Sequence, residues 1–276
     1  MSDQITDTEA HSSDVFVDAP GGRLFARLWG DWGQACARPP FVLIHDSLGS
    51  VALWREFPSR LAAATGHPVV AYDRLGFGLS DPHPGELETV VFIRDEARIS
   101  LPALRTALAI ETMILFGHSV GGAMAIVAAA TSPDATVGVI TEAAQVFAED
   151  RTLASIRAAK SAFAAPDQVE RLARYHGAKA TWVRDAWTGT WLAPAFASWR
   201  IDDDLRRLQR PILAMHGDHD EYGSLAHPER IEALVPAPVD VVVFDDCGHV
   251  PHREYPEDVL DAVQRFVRTR LGPLFL

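Results

Sequence analysis

Six short apolar runs, at 41–45, 69–72, 113–116, 137–141, 211–215 and 239–244, constrain the fold of this 276-residue chain more than any other feature. Runs of Val, Ile and Leu without alternation suit strands covered on both faces, as in a parallel sheet. Helical stretches fall between them: Trp54 to Thr65, Phe92 to Leu108, the Ala-rich Val120 to Ala130, and Pro256 to Leu271. Pro256 stands where a helix can start, because its missing N–H has no helical partner there in any case. Strand and helix in alternation predict a doubly wound, mostly parallel α/β sheet. Upstream, Val15 to Asp18 and Leu24 to Leu28 alternate around Pro20-Gly21-Gly22, which predicts an antiparallel N-terminal β-hairpin. Residues 1–13 have the polar composition of a disordered tail.

One interval breaks the rhythm. Between Thr141 and Pro211 lie about 70 residues without a strand signal, including RTLASIRAAKSAF, QVERLARYHG and a tract with Trp182, Trp187, Trp191, Phe196 and Trp199. This is too long for a plain crossover. It predicts a helical cap over 142–208, inserted into a core of 14–141 and 209–276.

The bulk chemistry narrows the partners. A formal net charge of -12 argues against a nucleic-acid partner, since phosphates demand clustered Lys and Arg. Two cysteines, Cys36 and Cys247, are too few for a disulfide framework and fit a reducing compartment. The N-terminus lacks the positive-then-apolar pattern of a signal peptide, and no run reaches the ~18 apolar residues of a membrane span. The expectation is a cytoplasmic protein acting on a small molecule, with no membrane partner. Nothing in the sequence requires or forbids a homo-oligomer.

The stretch ILFGHSVGGAMAIVAAA carries the most chemical information. A strand ends at Phe116, Gly117-His118-Ser119-Val120-Gly121 follows, and a helix begins. This is G-x-S-x-G in a strand–turn–helix context, a nucleophile elbow that lifts Ser119 above the sheet edge. A serine hydroxyl needs a base, and the base a carboxylate that orients it. In this topology the order is Ser, acid, His, each after a later strand. The run at 211–215 leads into His216-Gly217-Asp218-His219-Asp220-Glu221, and that at 239–244 into Asp245-Asp246-Cys247-Gly248-His249-Val250-Pro251-His252. A metal site on these histidines is the rival arrangement, but no HxHxDH or HExxH pattern occurs. For Cys247 a small packed side chain competes with a reactive thiol.

With the elbow, DRLGFGLSD (73–81), HGDHD (216–220) and CGHVPHREYP (247–256), the chain resembles the α/β-hydrolase superfamily over nearly its whole length. The resemblance implies the α/β-hydrolase fold and aligns the acid with Asp220 rather than Asp218, and the base with His249 rather than His252. Asp73 and Arg74 are then loop-fixing residues. A serine at the elbow centre implies acyl transfer on an ester, lactone or related bond without cofactor or metal, of carboxylesterase or lactonase type. Members of this fold also include C–C hydrolases, perhydrolases, cofactor-free oxygenases and small-molecule receptors.

The oxyanion of such a reaction needs two fixed donors. Val120 N–H follows the nucleophile, and the loop after the first core run, FVLIHDSLGS, supplies the second through Ser47 N–H. The adjacent His45, Asp46 and Ser47 cannot form a triad of their own, because neighbours on an extended segment point apart. His45 is expected to brace the loop. Asp46 stands where similar proteins usually carry Gly, and Asp46→Gly is expected to leave activity largely intact. Substrate contacts are assigned to His118, Trp187 and Trp191, with the remaining cap aromatics serving mainly to hold the cap to the core.

Overall fold

The computed structural model describes residues 12–33, 38–85 and 90–272. Eight strands form one sheet: β1 (Ser12–Ala19), β2 (Gly22–Trp29), β3 (Phe41–Ile44), β4 (Val69–Tyr72), β5 (Met113–His118), β6 (Thr136–Glu142), β7 (Ile212–Gly217) and β8 (Val239–Phe244). Their spatial order is β1-β2-β4-β3-β5-β6-β7-β8. β2 pairs antiparallel with β1 and β4, and every other pairing is parallel. The hairpin closes where expected, with Ala19 opposite Gly22 and Gly21 at a φ of 96°. The strand begins at Ser12, so the last two residues of the expected tail belong to β1; residues 1–11 and Cys36 lie outside the described residues.

β3, β4, β5 and β7 are buried along their whole length, as their unbroken apolarity predicts. β8 departs from that expectation. It is the sheet's last strand, and Val241 and Val243 reach the surface. One face of the sheet packs on helices Phe57–Thr65 and Pro256–Phe266, through Leu61, Val259 and Val263. The other packs on Leu101–Ala107 and Val120–Thr131, whose small side chains let helix and sheet approach closely. The helix expected over 92–108 forms, but with a widened π-turn at Glu96–Ser100. Pro102 supplies a reason, since it cannot donate to the preceding turn and its ring would crowd a regular one.

Between β6 and β7 come helices Asp150–Ala162, Pro166–His176, Ala180–Trp191 and Asp202–Arg207, with a single isolated bridge between Phe147 and Arg200. The last of these is tied to the core: Asp204 pairs with Arg94, and Asp202 with Arg230. No described helix is long and apolar enough to cross a membrane. The strand order reverses at β3 and β5, which lie side by side with Ile44 opposite Gly117. Loops leaving the carboxyl ends of neighbouring strands at such a switch point diverge and leave a crevice. Those two loops are HDSLGS and the elbow.

Candidate active site

Ser119 sits at φ 57° and ψ -125°, a region that costs a non-glycine residue energy and persists only where its surroundings enforce it. The enforcement comes from both glycines. A Cβ on Gly117 would stand 2.1 Å from the Gly121 carbonyl oxygen, and one on Gly121 would stand 2.2 Å from that of Ile44. The turn is pinned further by Ser119 N–H, which donates to the Glu142 carbonyl at 2.8 Å. Val120 opens the helix, so its N–H has no partner within it and carries the positive end of the helix dipole.

Asp220 and His249 meet as the motif alignment implies. His249 Nδ1 lies 2.9 Å from each Asp220 carboxylate oxygen. Asp220 is fully buried and also accepts the backbone N–H groups of Tyr222 (2.7 Å) and Gly223 (3.1 Å). Burial by itself would raise its carboxyl, but hydrogen bonding from His216 and His249 outweighs it and holds the group well below the usual carboxylate range. Asp218, by contrast, is exposed beside His219. His252 turns away from the serine and pairs with buried Glu142 through Nδ1 at 2.6 Å. Cys247 is a buried packing residue, its thiol pushed up to about 12 by burial and neighbouring carboxylates. Among the described residues no three His, Cys, Asp or Glu side chains converge as metal ligands.

The HDSLGS loop is held by its own side chains. His45 Nδ1 lies 2.8 Å from the Asp46 carbonyl, and its Nε2 accepts Arg74 N–H at 3.1 Å, so the ring braces the loop. Asp73 fixes the neighbouring loop by accepting Val51 N–H and Leu79 N–H. Asp46 does what a glycine could not. Its Oδ1 accepts Leu48 N–H at 2.7 Å, while Oδ2 lies 3.2 Å from His118 Nδ1. Leu48 and Gly49 both donate their N–H groups to Asp46, which folds the loop back on itself.

That pairing corrects the role expected for His118. Its ring is buried and points at Asp46 and at the His249 carbonyl, 2.8 Å from Nε2, so it does not line the cavity above Ser119. Trp187 and Trp191 do line that cavity, with Leu48, Ile156, Tyr222 and Gln145. Trp182 instead stacks on His83, outside the 142–208 segment, while Trp199 stacks on Phe196 within it. Gln145 was not anticipated. It follows β6, and its Oε1 accepts the Ser119 hydroxyl at 3.0 Å. Gln145 lies three residues past Glu142, and an uncharged amide there offers no titratable or nucleophilic group for the sequence to flag.

Helix Asp150–Ala162 grips the loop that carries Asp220. Arg151, Thr152 and Ser155 donate to the carbonyls of Asp220 (3.0 Å), Tyr222 (2.5 Å) and Glu221 (2.5 Å). From the next helix, His176 reaches the Leu48 carbonyl (3.0 Å) and accepts Gly78 N–H (2.9 Å). Helices Asp150–Ala162 and Pro166–His176 thus tie down the loop after β7 and the HDSLGS loop.

Comparison with known proteins agrees with this architecture. The chain is 36% identical over 98 residues to the proline iminopeptidase of Lactobacillus helveticus, a match covering 34% of this chain and 32% of that protein. It thus spans about a third of the length of such curated relatives. Among solved structures, naproxen esterase from Bacillus subtilis superposes with a TM-score of 0.71 at 20% identity, covering 94% of this chain and 92% of that one. Est816, an N-acyl homoserine lactone degrading enzyme, gives 0.69 at 20% identity over 91% of this chain and 100% of its own. The pattern of the alpha/beta hydrolase family matches residues 41–262, and with the elbow, the sheet order and this span the chain belongs to the alpha/beta hydrolase family.

Proposed function

We propose that this chain is a serine hydrolase that cleaves a carboxylic ester, lactone or related acyl bond of a small, partly apolar substrate. One observation carries the reading: Ser119 and the Asp220-oriented His249 face the same apolar cavity, beneath Trp187 and Trp191. Ser119 Oγ turns from Gln145 to His249 Nε2, gives up its proton there and attacks the substrate carbonyl carbon. The oxyanion forms against Ser47 N–H and Val120 N–H. His249 then protonates the leaving oxygen as its bond to carbon breaks, leaving an acyl-Ser119 ester. Water, deprotonated by His249, attacks that ester; the proton returns to Ser119 and the acid is released. Asp220 stays ionised throughout and stabilises the imidazolium.

The cavity measures about 130 Å³, small beside the roughly 300–1,000 Å³ of drug-sized ligand sites, which favours a short acyl group. An aminopeptidase would have to neutralise a substrate α-ammonium. The only carboxylate among the lining residues is Asp46, and His118 already engages it, which favours ester over N-terminal peptide bond.

The test is turnover of p-nitrophenyl acetate and butyrate by the wild type and by Ser119→Ala, with fluorophosphonate labelling alongside. Turnover and labelling that vanish in Ser119→Ala support the proposal. A wild type that neither turns over nor labels sinks it, and tight ligand binding without turnover would indicate a receptor instead.

A further inference from the structure

Asp46 is a carboxylate one residue from an oxyanion donor, where developing negative charge makes an anion unwelcome. Its surroundings answer the difficulty. Asp46 Oδ2 stands 3.2 Å from His118 Nδ1, and His118 Nε2 stands 2.8 Å from the His249 carbonyl oxygen. Both ring nitrogens therefore face acceptors, and only the doubly protonated imidazolium can donate to both. The His118 side chain is 3% exposed and that of Asp46 26%, so a bound substrate would seal the pair from water. The same ring links the three segments of the site: the oxyanion loop through Asp46, the elbow through its own backbone beside Ser119, and the base loop through His249.

We propose that Asp46 and His118 act as one positioning pair, in which the imidazolium cancels the carboxylate beside the oxyanion donors and anchors the loop that carries His249. This rests on the serine-hydrolase reading above. Burial alone would pull His118 down, but the Asp46 pairing outweighs it and raises the ring to about 9. The other titratable and charged groups facing the pair are Glu142, His252 and His249 on the His118 side, and His45, Arg74, His176, Tyr222 and Arg253 on the Asp46 side. The charge on His118 is present below about pH 9 and lost as pH rises through it, which removes the ion-pair partner of the Asp46 carboxylate.

The experiment is a double-mutant cycle on charge. His118→Gln keeps an N–H donor for the His249 carbonyl but removes the cation, and its kcat is expected to fall on the order of 100-fold, the scale of losing an oxyanion donor. Asp46→Asn keeps the acceptor for Leu48 N–H and is expected to lose less than about tenfold. The double variant should return to within about threefold of Asp46→Asn, because no lone charge remains. Wild-type kcat should decline as pH rises through about 9, and Asp46→Asn should lack that limb. Losses that simply add, or an alkaline limb unmoved by Asp46→Asn, overturn the proposal. Nitrogen-15 shifts of His118 in the wild type at neutral pH need no variant: two protonated nitrogens support it and a neutral ring overturns it. A wild type that fails to label with fluorophosphonate would overturn the hydrolase reading and this one together; a labelled enzyme with additive losses overturns this one alone.

Discussion

Two histidines three residues apart on the same segment, His249 and His252, each pair with a buried carboxylate at the end of a central strand. His249 meets Asp220 after β7, and His252 meets Glu142 at the end of β6. The electrostatic motif is the same in both. What differs is where the second ring nitrogen looks. His249 opens on the cavity that holds Ser119, whereas His252 is packed against Trp54 and Phe57, at ring-centroid distances of 4.8 Å and 5.2 Å. His–carboxylate pairing alone therefore does not make a base; access to the nucleophile does. Glu142 itself is held below the usual carboxylate range: burial raises it, but the charge and hydrogen bond of His252 prevail.

Removing each histidine in turn should separate the two pairs most sharply. His249→Ala is expected to cost at least about 10³-fold in kcat on p-nitrophenyl butyrate, because nothing else can take the Ser119 proton. Its thermal stability should change less, since buried Asp220 keeps His216 and the N–H groups of Tyr222 and Gly223 as partners. His252→Ala should do the reverse. It takes the imidazole from the fully buried Glu142 carboxylate and leaves only the residue-252 N–H on it, and losing one partner of such a pair costs about 3–5 kcal/mol of stability at neutral pH. Calorimetry and steady-state kinetics on both variants check this. A kcat loss above about 100-fold in folded His252→Ala would break the comparison.

The distinction between the two pairs was legible in the sequence only by pattern. Gly-His-x-Pro marks His249, and the elbow glycines mark Ser119, because backbone crowding at 117 and 121 permits little else. The sheet was readable from its apolar runs for the same reason: strands covered on both faces leave no room for polar residues. The Asp46–His118 pair was not readable. It joins the loop after β3 to the last residue of β5, 72 positions further along the chain, and each residue by itself has an ordinary explanation. His118 neighbours Ser119 in the chain, but consecutive residues at a turn point to different sides. Asp46→Gly, neutral on sequence grounds, now removes both a turn-forming acceptor and the counter-charge of a buried histidine.

A third pair, His227 Nε2 and Glu149 at 3.2 Å, does not line the cavity and sharpens the comparison on the stability side. Glu149 also accepts Ser224 N–H and hydroxyl, bracing the loop after Asp220. Burial pushes its carboxyl up, but the bonds from His227 and Ser224 bring it down to about 2. A depressed carboxyl stabilises the fold fully above its unfolded value near 4.5 and loses that contribution as pH falls toward about 2. Glu149→Gln should therefore be less stable at neutral pH and show a shallower loss of melting temperature between pH 5 and pH 2, about the window set by the two values. Parallel acid curves for variant and wild type would show that Glu149 is not linked to folding.

The smallest effect belongs to Gln145, which has no charge and yet holds the nucleophile. In the free enzyme the Ser119 hydroxyl donates to Gln145 Oε1 at 3.0 Å, so its transfer to His249 must break that bond first. A neutral hydrogen bond contributes a net ~0.5–1.5 kcal/mol, or about 2- to 10-fold in an equilibrium. Gln145→Ala should accordingly raise the rate of fluorophosphonate labelling by about 2- to 10-fold, because the phosphonate makes little use of the amide. A true substrate that accepts a hydrogen bond from the Gln145 amide would behave differently, with KM rising while kcat holds or improves. A screen of short esters and lactones against this one variant therefore reads the substrate through the glutamine. Those whose KM is unmoved do not touch it, and a labelling rate that falls instead of rising would mean that Gln145 holds Ser119 in its reactive orientation and not away from it.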